Sequence, residues 1–201
     1  MITREQFDRI HNCQGSLDYV ATQPDLVAAW ENCNRPDWLI TFATKAGIIS
    51  KEQAIRIAIG EAETVLPLWV ACHPDDKRPQ QAIDAAKAWL ANQSEENAAA
   101  AYAAGNAADH AVGNTAAAAY AAYAASNAAD AAYAAYAYAT DAVARTATYA
   151  ATFATSAAHV AAADAASTAA RAASYADADM AAFCKTQCNR IRAIIPNPFK
   201  E

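Results

Sequence analysis

Between Ala98 and Ala182 about half of the residues are alanine, none is proline, and Arg145 and Arg171 are the only full positive charges. Alanine has the highest intrinsic helix propensity, so the run reads as helix. One straight helix of that length would extend roughly 130 Å at the standard rise, with no heptads of large residues to pair it with another chain. Alanine side chains bury little area each, yet they are too apolar to coat a long helix in water. The run must therefore fold back into helices with axes at the short end of the packing range, about 8 Å, or lay a flat, weakly hydrated face on something else.

The candidate breaks are Gly105-Asn106, Gly113-Asn114, Ser126-Asn127, Thr140-Asp141 and the Ser167-Thr168 neighbourhood. The two Gly-Asn pairs are the strong turn signals among them. Two blocks, Tyr102-Ala-Ala-Gly-Asn-Ala-Ala-Asp109 and Tyr123-Ala-Ala-Ser-Asn-Ala-Ala-Asp130, nearly repeat three heptads apart. They mark either a structural repeat or slippage in a low-complexity stretch, and two copies are fewer than a solenoid needs. The tyrosines are expected at helix edges, with rings over neighbouring alanines and hydroxyls in water.

Residues 1–92 have ordinary core formers and clear punctuation. Thr3 with Gln6 makes a capping box for a first helix, with Gly15 beyond its end. Pro24 suits the first turn of a helix toward Trp30 and Cys33, and Pro36 opens another that Gly47 closes. Ser50 with Gln53 starts a longer helix, with Ala54, Ile55, Ala58, Ile59, Ala62, Val65 and Leu66 as its apolar stripe, and Pro67 kinks or ends it. Cys72 to Pro79 reads as a loop, followed by a helix through Ile83, Ala86, Trp89 and Leu90. Ser94 with Glu95 and Glu96 opens the alanine-rich part. The fold class is all-α: an N-terminal helical lobe, 1–92, packed as one domain with an alanine-rich region, 93–201, in a bundle or short helical stack.

A net charge of −6 argues against nucleic acid, whose phosphates require clustered Lys and Arg. It suits a basic protein partner. The N-terminus lacks the apolar segment of a signal peptide, and Asp, Asn, His and Arg interrupt the alanine run too often for a bilayer span. The five cysteines (Cys13, Cys33, Cys72, Cys184 and Cys188) are then read as reduced, in a cytoplasmic protein with no membrane association. Cys184 and Cys188 share a helical face, but no second pair has zinc-ligand spacing, so core thiols are the reading and no metal or cofactor is expected. Glu61 and Glu63 are two apart, as are Asp177 and Asp179, so neither pair shares a helix face as an acid/base dyad. No His neighbours a nucleophile and no phosphate loop is present, so nothing in the sequence asks for catalysis.

Two segments carry a resemblance. They are Ala29-Trp-Glu-Asn-Cys-Asn-Arg-Pro-Asp-Trp-Leu39 and Asp76-Lys-Arg-Pro-Gln-Gln-Ala-Ile-Asp-Ala-Ala-Lys-Ala-Trp89. With Leu66-Pro67 and the alanine-rich tail, they resemble the bacterial and phage immunity protein family, with its immunity-five-like domain. Its members show Cys-x-Arg-x-Asp-Trp, then Asp-x-Arg-Pro-x-x-Ala-Ile ending in Trp, then a tail of Ala, His and Tyr. This chain departs at Pro36, where a small or polar residue is usual, and in having fewer tail histidines. The resemblance implies neutralisation of a toxin by binding, and it brings no catalytic residues.

The candidate binding residues are Arg35, Asp37, Trp38, Asp75, Asp76 and Arg78, with Trp89 beside them. The functional reading gathers them around one groove, Arg supplying bidentate bonds and Trp a stacking face. The structural reading has Asp37 capping a helix or pairing with Arg78 while the tryptophans fill the core. The function expected is that of a non-enzymatic immunity-type inhibitor of a toxin or effector. One alternative is a protein that sequesters a small-molecule ligand in phage–host or interbacterial conflict, which a polar pocket at the two segments would favour. The other is a structural or ice-binding helix protein, for which Thr140, Thr148, Thr152, Thr155 and Thr168 are too irregularly spaced. Exposed alanine faces allow self-association, with a homodimer as the default closed assembly.

Overall fold

A computed structural model describes residues 14–111, 116–137, 146–153 and 173–200. The described chain is all-α. Its helices are α1 (Gln14–Ala21), α2 (Leu26–Asn32), α3 (Pro36–Lys45), α4 (Lys51–Cys72), α5 (Arg78–Ala91), α6 (Glu95–Asp109), α7 (Ala116–Ala137) and α8 (Ala173–Ile194). Residues 146–153 are also helical.

Local chemistry sets most of the helix ends. Asp25 caps α2 by accepting from Ala28 N at 2.7 Å. Pro36 occupies the first turn of α3. That helix closes on Gly47, whose φ of +69° only glycine adopts without strain. Gly47 N donates to Thr44 O and Ile48 N to Ala43 O, which completes a Schellman motif. Both halves of the Ser50–Gln53 capping box are made. Ser94 accepts from Asn97 N at the start of α6.

Helices α4 to α7 close into a bundle in which each packs on the next and α7 returns to α4. Helix α5 also touches α7, and α8 lies against α3 and α4. The large buried side chains Trp30, Leu39, Ile40, Phe42, Ile55, Ile57, Trp69, Ile83 and Ile191 join the alanines of α6 and α7 in one core. The two sequence regions therefore share their interior.

Helix α7 explains why so much alanine is needed. Ala121, Ala122, Ala124, Ala125, Ala128, Ala129, Ala131 and Ala132 are all fully buried, and together with the buried Ser126 and Ala134 they cover most directions around its axis. A helix enclosed by neighbours on most sides must be apolar nearly all round. It must also be slim where α4, α5 and α6 all approach it. Alanine meets both demands while favouring the helix. The fold-back branch of the expectation holds here, and these alanines form no exposed flat face.

Several expected boundaries are corrected. Gly105-Asn106 is not a turn; it lies inside α6. Gly105 is buried where α6 meets α7, and an ideal Cβ there would lie 2.9 Å from Asp130 Oδ1, 3.3 Å from Ala129 Cβ and 3.4 Å from Ser126 O. Close helix approach, not turn geometry, is why glycine stands there. Ser126-Asn127 lies inside α7 because Asn127 Nδ2 donates back to Tyr123 O, within its own helix. Gly15 lies in the first turn of α1, and the helix it was expected to follow falls on residues 1–13, outside the described residues. Pro24 precedes the Asp25 cap of α2. Helix α4 runs through Pro67 to Cys72, since Pro67 faces solvent while Val65 and Trp69 stay buried. Thr3 and Gln6, Gly113-Asn114, Thr140-Asp141, Ser167-Thr168 and Thr155 lie outside the described residues.

The two repeated blocks fall on α6 and α7, which run antiparallel: Tyr102 stacks on Tyr133 at 4.7 Å, while Gly105 meets residues 126 to 130. The one position at which the blocks differ, Gly105 against Ser126, is where the two helices touch.

Candidate functional site

The candidate residues separate into two local pairs. At the start of α3, Arg35 donates from Nε to Asp37 Oδ1 at 3.0 Å and from Nη2 to Asp37 Oδ2 at 2.7 Å. Its guanidinium lies over the Trp38 ring at 4.8 Å, and Trp38 in turn meets Tyr19 at 5.5 Å. Pro36 between them holds the backbone at the helix start. A bidentate ion pair and a cation–π contact thus fix a side chain that remains 55 % exposed.

The second pair holds the loop between α4 and α5. Arg78 donates from Nη2 to Asp76 Oδ2 at 2.6 Å, and Asp76 Oδ1 also accepts from Arg78 N. These bonds hold the Asp76 carboxyl below the usual range. Trp69 Nε1 donates to Asp76 O at 2.9 Å, and Arg78 Nη1 reaches His110 O at the end of α6. Asp76 and Arg78 therefore staple a loop to two helix ends. Asp75 is exposed in the turn beside them.

No hydrogen bond or ion pair joins the Arg35 pair to the Arg78 pair. Helix α3 packs on α8, whereas α5 packs on α4, α6 and α7. The single groove expected from the sequence is therefore not built, and Asp37 pairs with Arg35 rather than with Arg78. The arginine in each segment finds its carboxylate two residues away, which is closer at hand than any partner across the fold. Trp30, Trp69 and Trp89 are core residues, as the structural reading had it, and Trp38 is half-buried.

A third cluster was not anticipated. In the contact between α4 and α8, Glu61 is fully buried and neither carboxyl oxygen has a donor. Burial pushes this carboxyl up to about 8, against the pull of Arg190. Gln187 is also fully buried, with Nε2 unbonded. Cys184 and Cys188 flank it on the same face of α8, with thiols raised by burial. The sequence held one signal for this: Glu61 lies three residues after Ala58 and four before Val65, within the apolar stripe. Among the described residues, no three His, Cys, Asp or Glu side chains are grouped to hold a metal ion. None of the described helices is long and apolar enough to cross a membrane.

An open hollow lined by Ser94, Glu95, Glu96 and Ala99 lies at the start of α6. It is a helix N-terminus already capped by its own serine. Comparison with protein-family models, with curated proteins and with solved structures finds no significant match for this chain.

Proposed function

We propose that this protein works by binding, as an immunity-type inhibitor that neutralises a toxin or another effector in a stoichiometric complex. The observation that carries this reading is the Arg35–Asp37–Trp38 element, an exposed arginine already fixed by two hydrogen bonds and a ring. Arginine and tryptophan are the residues most often central to protein interfaces. Side chains ordered before contact lose less freedom on binding. The three residues also stand in the first of the two segments that resemble the immunity family. A net charge of −6 favours a basic partner and speeds encounter with it.

Sequestration of a small molecule is the weaker reading, because the two arginine pairs form no common groove. The test is capture from lysate on the native protein, on Arg35→Ala and Trp38→Ala, and on Arg78→Ala as a control. The expected result is a basic protein held stoichiometrically by the native form and by Arg78→Ala, and lost from the other two while they remain folded. Retention by Arg35→Ala and Trp38→Ala would remove this surface from the function. Release of a small molecule in place of a protein would revive sequestration.

A further inference from the structure

Helices α4 and α8 run antiparallel, with Gln53 donating to Ile194 O at one end and Arg190 reaching Gly60 further along. Within this contact lie a carboxyl with no donor, Glu61, and an amide with an unused donor, Gln187 Nε2. Arg190 lies beside both. Its Cδ is 3.0 Å from where a Cβ on Gly60 would stand. Its Nη1 donates to Gly60 O at 2.5 Å, to Thr64 Oγ1 at 2.6 Å and to Gln187 Oε1 at 3.3 Å. The described bonds of this guanidinium thus run through one nitrogen of three. Donors and acceptor share one interface, and the bonds between them are unmade.

A buried carboxyl without donors is tolerated only while it keeps its proton. An ionised one must draw donors to itself, and Gln187 Nε2 and the Arg190 guanidinium are those at hand. We propose that Glu61 is a proton-held latch: while neutral it leaves Arg190 bound to Gly60 and Thr64, and on losing its proton it draws the Arg190 guanidinium and the Gln187 amide onto itself. The change needs only side-chain rotation, and it exchanges the bonds of α8 to Gly60 and Thr64 for bonds to Glu61 on the same helix, α4.

The surroundings favour a single titration. Burial places Glu61 at about 8, and Arg190 is the only described charge acting on it. Cys184 and Cys188 face it from α8, and burial keeps both thiols above their ordinary range. Arg35 and Asp37 act on Cys184 from the start of α3, and neither acts on Glu61 itself. Helices α5 and α7, the other neighbours of α4, bring no described charged group to bear on the carboxyl.

The test is an NMR titration of the full chain from about pH 6 to about pH 10. It follows the Glu61 side-chain carboxyl carbon, the Arg190 side-chain N–H groups and the Thr64 side chain. The latch predicts that all three move together with one midpoint near 8, and that the Arg190 and Thr64 signals stay flat in Glu61→Gln. Glu61 already ionised at the acidic end would overturn it, as would a titration that leaves Arg190 unmoved or one that survives in Glu61→Gln. Thr64→Val provides a second variant. Removing one acceptor frees Arg190 for Glu61, so the midpoint must shift toward acid, and an unshifted midpoint also overturns the proposal.

Discussion

Asp130 sits directly over Gly105, so close that a Cβ on residue 105 would lie 2.9 Å from its Oδ1. This contact lets α6 and α7 approach as nearly as they do, and it sits where the two repeated blocks differ. Gly105 has no positive φ to excuse it, so its value lies in the missing side chain. Gly105→Ala would gain about 1 kcal/mol in helix propensity. Against that stand overpacking costs of about 1–3 kcal/mol, because Ala129 Cβ and Ser126 O are also close. The expected outcome is a protein about 1 kcal/mol less stable in urea unfolding. The double variant with Asp130→Ala should recover part of the loss, and a stabilised single variant would refute the contact.

The same carboxylate makes stability depend on pH. Burial, helped by Asp109, raises Asp130 from 3.8 to about 6. The folded state therefore binds the proton more tightly than the unfolded one. The contribution of Asp130 to stability is greatest below the unfolded value of 3.8 and falls as pH rises to about 6, beyond which it is constant. Asp130→Asn should flatten this component and stabilise the fold at neutral pH. The expected gain is about 1–2 kcal/mol, less than the full shift implies because solvent partly reaches the group. Unfolding of the variant and parent at acidic and neutral pH checks this, since the difference between them cancels other groups.

What the sequence reveals here follows the range of the interaction. The capping box at Ser50–Gln53, the Ser94 cap, Pro36 and Gly47 were legible because each is decided within a few residues. Gly105-Asn106 carried a turn signal, and the approach of α7 overrode it. The trio Arg35, Asp37 and Trp38 was legible as a group, whereas its internal pairing was not, since spacing alone does not choose between Arg35 and Arg78 as the partner of Asp37. The Glu61 cluster was hidden because its meaning depends on α8: Arg190 bonds to Gly60 across 130 residues of chain.

Thiol reactivity separates the described cysteines. Cys72 is exposed, whereas Cys33, Cys184 and Cys188 are buried. Burial lifts the Cys33 thiol to about 11 and raises Cys184 and Cys188 as well. Reaction requires a thiolate within reach of the reagent. With a bulky alkylating reagent and mass mapping, Cys72 should react about a hundredfold faster or more than the other three in the native state. All four should react alike in denaturant. Fast native labelling of Cys184 or Cys188 would show that α8 is not held against α3 and α4.

Arg192 offers the sharpest test of how α8 holds the N-terminal helices. Its Nε and Nη2 donate to Trp30 O at 3.1 and 2.8 Å, and Nη2 also reaches Cys33 O. These carbonyls stand at the C-terminal end of α2, where the helix leaves its last acceptors without donors and a cation is favoured. The bonds tie Ala173–Ile194 to the residues that carry Trp30 and lead into Arg35. Arg192→Met keeps much of the apolar stem but removes a charged donor from two carbonyls, at a cost of about 2–3 kcal/mol. Arg192→Lys supplies one ammonium in place of a planar fork, so it should fall between the parent and Arg192→Met. Chemical unfolding followed by far-ultraviolet circular dichroism measures both. If Arg192→Met is as stable as the parent, the clamp does not hold α2 in place, and the fixed position of Arg35 must come from Pro36, its own ion pair and the Trp38 ring.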